Sequence, residues 1–255
     1  MQYDEGEGKI RYYESPAWGE WCNRVYGKDL KQIGMVTMDD LKLFFREVNL
    51  APNSHILDMG CGPGYITAAV AEHYRSQVTG IDIDEPAISH ANHKFSDNIL
   101  LNFQVADGNT VSFEASSFDL IYFFDTLYFT GTIDKLRTLL DQCLTMLKPG
   151  GKLAIFWSSQ PMDDLQNPSA GNLQVGKWGV DHRIPFEAFD LSAAHRKFWL
   201  KALEETLAMK SELYSEIPET YKQIMNECTH FNELLSEVDS GGMVRYLYIF
   251  TKSTI

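Results

Sequence analysis

The sequence predicts an α/β fold, a doubly wound parallel sheet, and three observations carry that prediction. A short apolar run ends in an acid and breaks at once into glycines (I-L-D-M-G-C-G-P-G, Ile56 to Gly64). Two later apolar runs also end in acids, Asp82 and Asp107, and segments of helical spacing alternate with the runs. Gly60, Gly62 and Gly64 let the backbone turn sharply and approach a ligand where a Cβ would intrude. Residues from Tyr65 onward read as a helix whose first amides face that ligand, so the turn is of the nucleotide-binding kind. A dinucleotide fingerprint places its third glycine three residues after the second. Tyr65 holds that position here and Gly64 comes one residue early, which disfavours NAD.

The elements follow in order. Trp18, Trp21 and Tyr26 form an aromatic cluster around a short helix. Leu41, Phe44, Phe45 and Val48 recur at helical spacing, with Thr37 as N-cap, Asp40 in the first turn, and Pro52 and Asn53 ending the segment. Strand one runs into the glycine turn. Strand two, Gln77 to Asp82, ends in an acid eighteen residues after Gly64; a carboxylate there can accept from both ribose hydroxyls and would repel a 2′-phosphate. Asp84 and Pro86 cap and open a helix with Ala87, Ile88, Ala91 and Phe95 on its apolar face. Strand three closes on Asp107 and Gly108, and strand four spans Phe118 to Phe124. A helix after Thr132 turns Ile133, Leu136, Leu140, Cys143, Leu144 and Leu147 inward, Lys148 to Gly151 closes it, and strand five covers Lys152 to Trp157. Beyond Gln160 the chain reads as irregular. Pro185 to Asp190 is the candidate sixth strand, helices follow at Ser192 to Lys210 and Pro218 to Val238, and Gly241 and Gly242 lead into a last strand, Val244 to Phe250.

The motifs L-D-M-G-C-G-P-G, G-I-D-I, V-A-D-G, F-D-L-I-Y-F-F-D and L-K-P-G-G-K-L stand in the order and spacing of a known family. The chain resembles the class I S-adenosylmethionine (SAM)-dependent methyltransferases, within them the small-molecule branch that includes ubiquinone- and menaquinone-type enzymes, over about Leu41 to Ser158. The resemblance implies a Rossmann-like, mostly parallel seven-stranded sheet whose last strand lies antiparallel between strands five and six. It implies that Asp58 and the glycines hold the methionine part of SAM, that Asp82 binds the ribose, that Ile83 packs on adenine, and that Asp107 accepts from the adenine amino group. Cys61, Gly108 and Phe124 belong to the same cofactor-binding motifs.

The activity so implied is in-line transfer of a methyl group to a small-molecule N, O or C acceptor, driven by positioning and desolvation, with S-adenosylhomocysteine as product. No general base stands out, and the N-P-P-Y type motif of amino-methyltransferases is missing at Phe124, Asp125 and Thr126. Tyr13, Trp18, Tyr26, Tyr128 and Trp157 are the candidate acceptor-binding aromatics. His182 is a weaker candidate base, and His90 and His93 read as surface histidines. Other readings are a protein or peptide methyltransferase, a SAM-binding protein without turnover, and an aminopropyltransferase, for which Asp125 is the nearest extra acid.

The expected organisation is one domain over residues 1–255. It comprises an N-terminal aromatic lid segment (1–36), a SAM-binding core (37–160), an irregular segment with strand six and lid helices (161–242) and the final strand (243–255). A net charge of −13 works against binding a phosphate backbone, so no nucleic-acid partner is expected. Cys22, Cys61, Cys143 and Cys228 are far apart, which argues against a disulfide framework or a metal site and for a reducing, cytoplasmic setting. The acidic start M-Q-Y-D-E-G-E-G does not read as a signal peptide, and the apolar stretch Phe118 to Phe129 is too short to span a bilayer. Nothing in the sequence sets an oligomeric state.

Overall fold

The structure is a computed structural model, and it describes residues 11–160, 163, 166–236 and 243–254. The acidic first eight residues, Val238, Gly241 and Gly242 lie outside the described residues. Along the chain run α1 (Pro16–Tyr26), α2 (Met38–Val48), β1 (His55–Met59), α3 (Tyr65–Tyr74), β2 (Gln77–Asp82), α4 (Glu85–Lys94), β3 (Leu101–Val105) and β4 (Phe118–Phe124). There follow α5 (Ile133–Met146), β5 (Leu147–Ser158), α6 (Gln174–Asp181), β6 (Phe186–Asp190), α7 (Ser192–Ala208), α8 (Lys210–Glu216), α9 (Pro218–Ser236) and β7 (Arg245–Thr251).

The strands form one seven-stranded sheet in the order β3-β2-β1-β4-β5-β7-β6. Strands β1 to β5 pair in parallel, and β7 runs antiparallel to both its neighbours, β5 and β6. Alternation along each strand sorts side chains to two cores, as a period of two requires. Leu57, Met59, Ile121 and Phe123 face α5 and α6 through Leu136, Leu140, Cys143 and Trp178. Ile56, Leu120 and Tyr122 face α2 and α3 through Leu41, Phe44, Val48 and Val70.

Local chemistry sets the helix ends. Thr37 Oγ1 accepts from the Asp40 amide while Asp40 accepts from the Thr37 amide, a reciprocal cap that starts α2. Asp84 caps α4, with Pro86 inside its first turn, and Thr132 caps α5.

A third core joins elements outside the sheet. Trp18, Trp21, Phe198, Trp199, Leu213, Ile224 and Cys228 pack α1, α7, α8 and α9 together, and Ala87 ties the cluster to α4. Trp18 stacks on Trp21 at a centroid separation of 4.5 Å, and Trp21 Nε1 donates to Thr206 Oγ1.

The structure departs from the sequence reading in three places. The segment after Gln160 contains α6, which buries Leu173, Val175 and Trp178. The predicted helix Ser192 to Lys210 ends at Ala208, and a separate short helix, α8, precedes α9. Leu147 is the first residue of β5, not the last inward residue of α5; Leu139 and Met146 are buried on α5 as well. Gly150 at φ +78° makes the bend that lets β5 begin this early.

Candidate active site

A cavity of about 950 Å³ lies at the carboxyl edge of the sheet, where doubly wound folds bind ligands. The register places the acids there. Asp58 pairs with Gly80, so β1 and β2 finish side by side, and Asp82 pairs with Val105 at the end of β3. Asp58, Asp82 and Asp107 all line this one cavity.

The turn between β1 and α3 is built by contacts that only glycine allows. Gly60 has φ +90°, and a Cβ on it would collide with the side chain of Thr126, whose Oγ1 donates to the Met59 carbonyl at 2.7 Å. Gly64 has φ +82°, and a Cβ there would stand 2.6 Å from the Phe103 ring. Gly60, Cys61 and Gly62 line the cavity, whereas Gly64 sits behind it against Phe103 and Ala91.

Each acid has its own environment. Asp58 is buried, and its Oδ2 accepts from Thr67 Oγ1 and Tyr122 Oη, each at 2.7 Å. Burial pushes its pKa from 3.8 to about 7, the two hydroxyl donors offset part of the rise, and the nearby Asp82 charge adds to it. Asp82 accepts from the Gly62 amide at 2.8 Å and the Asp84 amide at 2.9 Å, which pins β2 to the glycine turn. Asp107 is exposed and accepts from the backbone and side-chain amides of Asn109. Ile83 is 62% exposed at the cavity mouth, and Gly108 and Phe124 also line the cavity.

A buried ion pair closes the far end of β4. Arg245 grips Asp125 with two nitrogens, Nη1 to Oδ1 at 2.6 Å and Nη2 to Oδ2 at 2.9 Å. Burial pulls the guanidinium pKa down, but Asp125, Tyr128 and Asp40 together more than offset it, so the pKa is raised overall and the group stays charged. Asp125 also accepts from the Met35 amide and Tyr128 Oη, and Tyr128 Oη accepts from the Ser158 amide. The pair thus ties the segment before α2 to the ends of β4, β5 and β7. An acid spent in this way is not available to an aminopropyl group.

Of the five predicted acceptor-site aromatics, Tyr128 lines the cavity. Tyr13, Trp18 and Tyr26 are buried in the α1 cluster, and Trp157 is buried under the sheet edge with Nε1 donating to Asp163. Tyr12, Trp199 and Phe231 line the cavity instead, with Leu30 to Met35, His195, Glu227 and His230. Sequence reading missed these because the cap helices carry no motif; the position of Arg245 opposite the end of β4 was the available signal, since an antiparallel β7 starts at that edge. His182 lies outside the cavity, its Nε2 3.3 Å from Asp141 on α5. His90, on α4, touches Tyr65 and Tyr13. Among the described residues no cluster of His, Cys, Asp and Glu could hold a metal ion, and all four cysteines are buried outside any disulfide.

Residues 57–155 match the family model described as a methyltransferase domain. Over this core the chain is similar to methyltransferases. It is 32% identical to the O-methyltransferase cnsE of Penicillium expansum over 149 residues, 57% of this chain and 49% of that one. It is 31% identical to the ubiquinone biosynthesis O-methyltransferase of Coxiella burnetii over 135 residues, 52% of this chain and 55% of that one. The chain thus spans about half the length of these curated relatives.

Among solved structures, phosphoethanolamine N-methyltransferase 2 of Haemonchus contortus, in complex with phosphomonomethylethanolamine and S-adenosylhomocysteine, superposes with a TM-score of 0.73 at 17% identity. The match covers 93% of this chain and 57% of that one. The likeness is one of fold, a Rossmann-like, mostly parallel seven-stranded sheet flanked by helices. No helix among the described residues is long and apolar enough to cross a membrane.

Proposed function

We propose that this chain moves the methyl group of SAM onto a nitrogen, oxygen or carbon atom of a small-molecule acceptor. The observation that carries this reading is the convergence of Asp58, Asp82 and Asp107 from three adjacent strand ends on one capped cavity. The residues present fit the cofactor. Asp82 keeps lone pairs beyond those used by its two amide donors, enough for two ribose hydroxyls. Exposed Ile83 offers an apolar surface to a flat base, Asp107 accepts from an exocyclic amine, and Asp58 with the Gly60–Gly62 backbone suits a cationic amino acid.

When bound, SAM supplies a methyl group activated by its positively charged sulfonium. The chain's part is to hold the acceptor in line and to exclude water, which in well-oriented reactions lowers barriers by roughly 7–11 kcal/mol. With Asp125 neutralised by Arg245, the acids Asp58, Asp82, Asp84 and Asp107 line the cavity against a single ammonium, that of Lys31, and their field favours the cationic ligand over the neutral product. Tyr128, Tyr12, Trp199 and Phe231 would enclose the acceptor; Tyr13, Trp18, Tyr26 and Trp157 support that wall from behind.

The cap contributed by α7 and α9 favours a small metabolite over a peptide, which would need an open groove. The same acidic lining and the net charge of −13 speak against a nucleic-acid acceptor. Four cysteines outside any disulfide suit a reducing cytoplasmic compartment.

Titration calorimetry with S-adenosylhomocysteine and turnover of methyl-labelled SAM with a metabolite panel test the reading. Binding that Asp82→Ala weakens at least tenfold, together with label transfer to a metabolite, is the expected result. Absence of binding overturns it, and binding without any transfer returns the non-catalytic reading.

A further inference from the structure

His195, on the first turn of α7, lines the cavity and is only 3% exposed. Its Nε2 faces Trp199 Nε1 at 3.1 Å. An indole N–H can only donate, so Nε2 must accept, and the proton of the neutral ring resides on Nδ1. That Nδ1 is buried and has no hydrogen-bond partner among the described residues. A buried, unpaired N–H on a cavity wall is costly unless a ligand completes it.

We propose that His195 Nδ1–H is a substrate-binding donor that selects uncharged acceptors carrying an oxygen, and that this histidine is not the base of the reaction. The proposal rests on the methyltransferase reading of the same cavity and adds the class of acceptor. The ring's basic nitrogen is covered by Trp199, so it has no open lone pair for an acceptor proton. Burial, with Arg245 nearby, holds the ring's pKa well below 6.5 and keeps it neutral. Sharing the cavity wall with it are Trp199 and Phe231, stacked at 4.2 Å, and the half-buried Glu227, whose carboxyl burial also pushes toward the neutral form. This half of the cavity has apolar walls and carboxylates and lacks a free guanidinium or ammonium; Arg245 is committed to Asp125 and Lys31 to Ser15 and Asp29. A phosphate- or carboxylate-bearing acceptor would bring an unmatched charge into it.

The test uses the full chain saturated with S-adenosylhomocysteine and two probes of similar size, phenol and toluene. Histidine-selective ¹⁵N correlation spectra of the parent chain are expected to show His195 as the Nδ1–H tautomer, with that signal moved by phenol. Phenol is expected to bind at least tenfold more tightly than toluene; His195→Phe levels the two, and His195→Asn, which keeps a donor near Nδ1, restores part of the preference. S-adenosylhomocysteine affinity stays within about threefold in both variants, so a failure of cofactor binding in the parent chain marks a failure of the function and not of this assignment. An Nε2–H tautomer, no preference for phenol in the parent chain, or a preference that His195→Phe leaves intact overturns the proposal.

Discussion

Asp58 shows how one carboxyl group links stability to ligand binding. Its folded pKa, raised by burial from 3.8 to about 7, means that the native state holds a proton more tightly than the unfolded chain between those values. Stability therefore falls as pH rises through that window, by up to roughly 4 kcal/mol at the upper end. Asp58→Asn can still accept from Thr67 and Tyr122 but carries no charge to desolvate. The variant should melt at about the same temperature as the parent near pH 4 and several degrees higher at pH 8, as scanning calorimetry would record. A bound amino-acid cation recovers the cost by pairing with the carboxylate. S-adenosylhomocysteine affinity in the parent chain should accordingly rise between pH 6 and pH 8, and Asp58→Asn should lose at least tenfold at pH 8 and much less at pH 6.

At the scale of the element, the turn from β1 to α3 and the clamp at the start of β7 do different work. Gly64 is a packing glycine: its φ of +82° and the Phe103 ring 2.6 Å from any Cβ leave no room for alanine. Gly64→Ala should cost about 2 kcal/mol or more in urea unfolding, a larger effect than on ligand affinity, because Gly64 does not line the cavity. Arg245→Met leaves Asp125 buried without its counter-charge and should cost about 3–5 kcal/mol in the same experiment. The sheet elements were legible because β1 to β4 and β6 end at or within two residues of an acid, and because Thr37, Asp84 and Thr132 mark helix starts with their side chains. Helix α6 was not, since only eight residues lie between an Asn- and Gly-rich stretch and the loop before β6. Its buried Leu173, Val175 and Trp178 do not fill a full helical stripe, so no period emerges.

For the whole molecule, the cofactor half of the cavity could be read from the sequence and the acceptor half could not. Asp58, Asp82 and Asp107 stand at strand ends, whose place at the sheet edge follows from topology alone. The opposite wall comes from residues 30–35 and from α7 and α9, and the aromatic cluster around Trp18 and Trp21 packs the cap helices together. Aromatic residues packing on one another leave the same trace in a sequence as aromatic residues lining a pocket, which is why Trp18 and Tyr26 stood out and Trp199 and Phe231 did not. Because the cap shares few contacts with the sheet, its amides should exchange with deuterium faster than those of β1 and β4. Saturation with S-adenosylhomocysteine should slow exchange at residues 30–35, which face the bound ligand.

The antiparallel β7 also sets the order in which the protein can be completed. This strand follows β6 in sequence yet sits between β5 and β6, so a growing chain emerging from the ribosome holds β6 without a neighbour until Arg245 to Thr251 have been made. The same few residues deliver the cation that neutralises Asp125. Closure of the sheet and assembly of the pocket floor thus happen in one late event, and a nascent chain stalled before it would expose the flank of β5 to any passing strand.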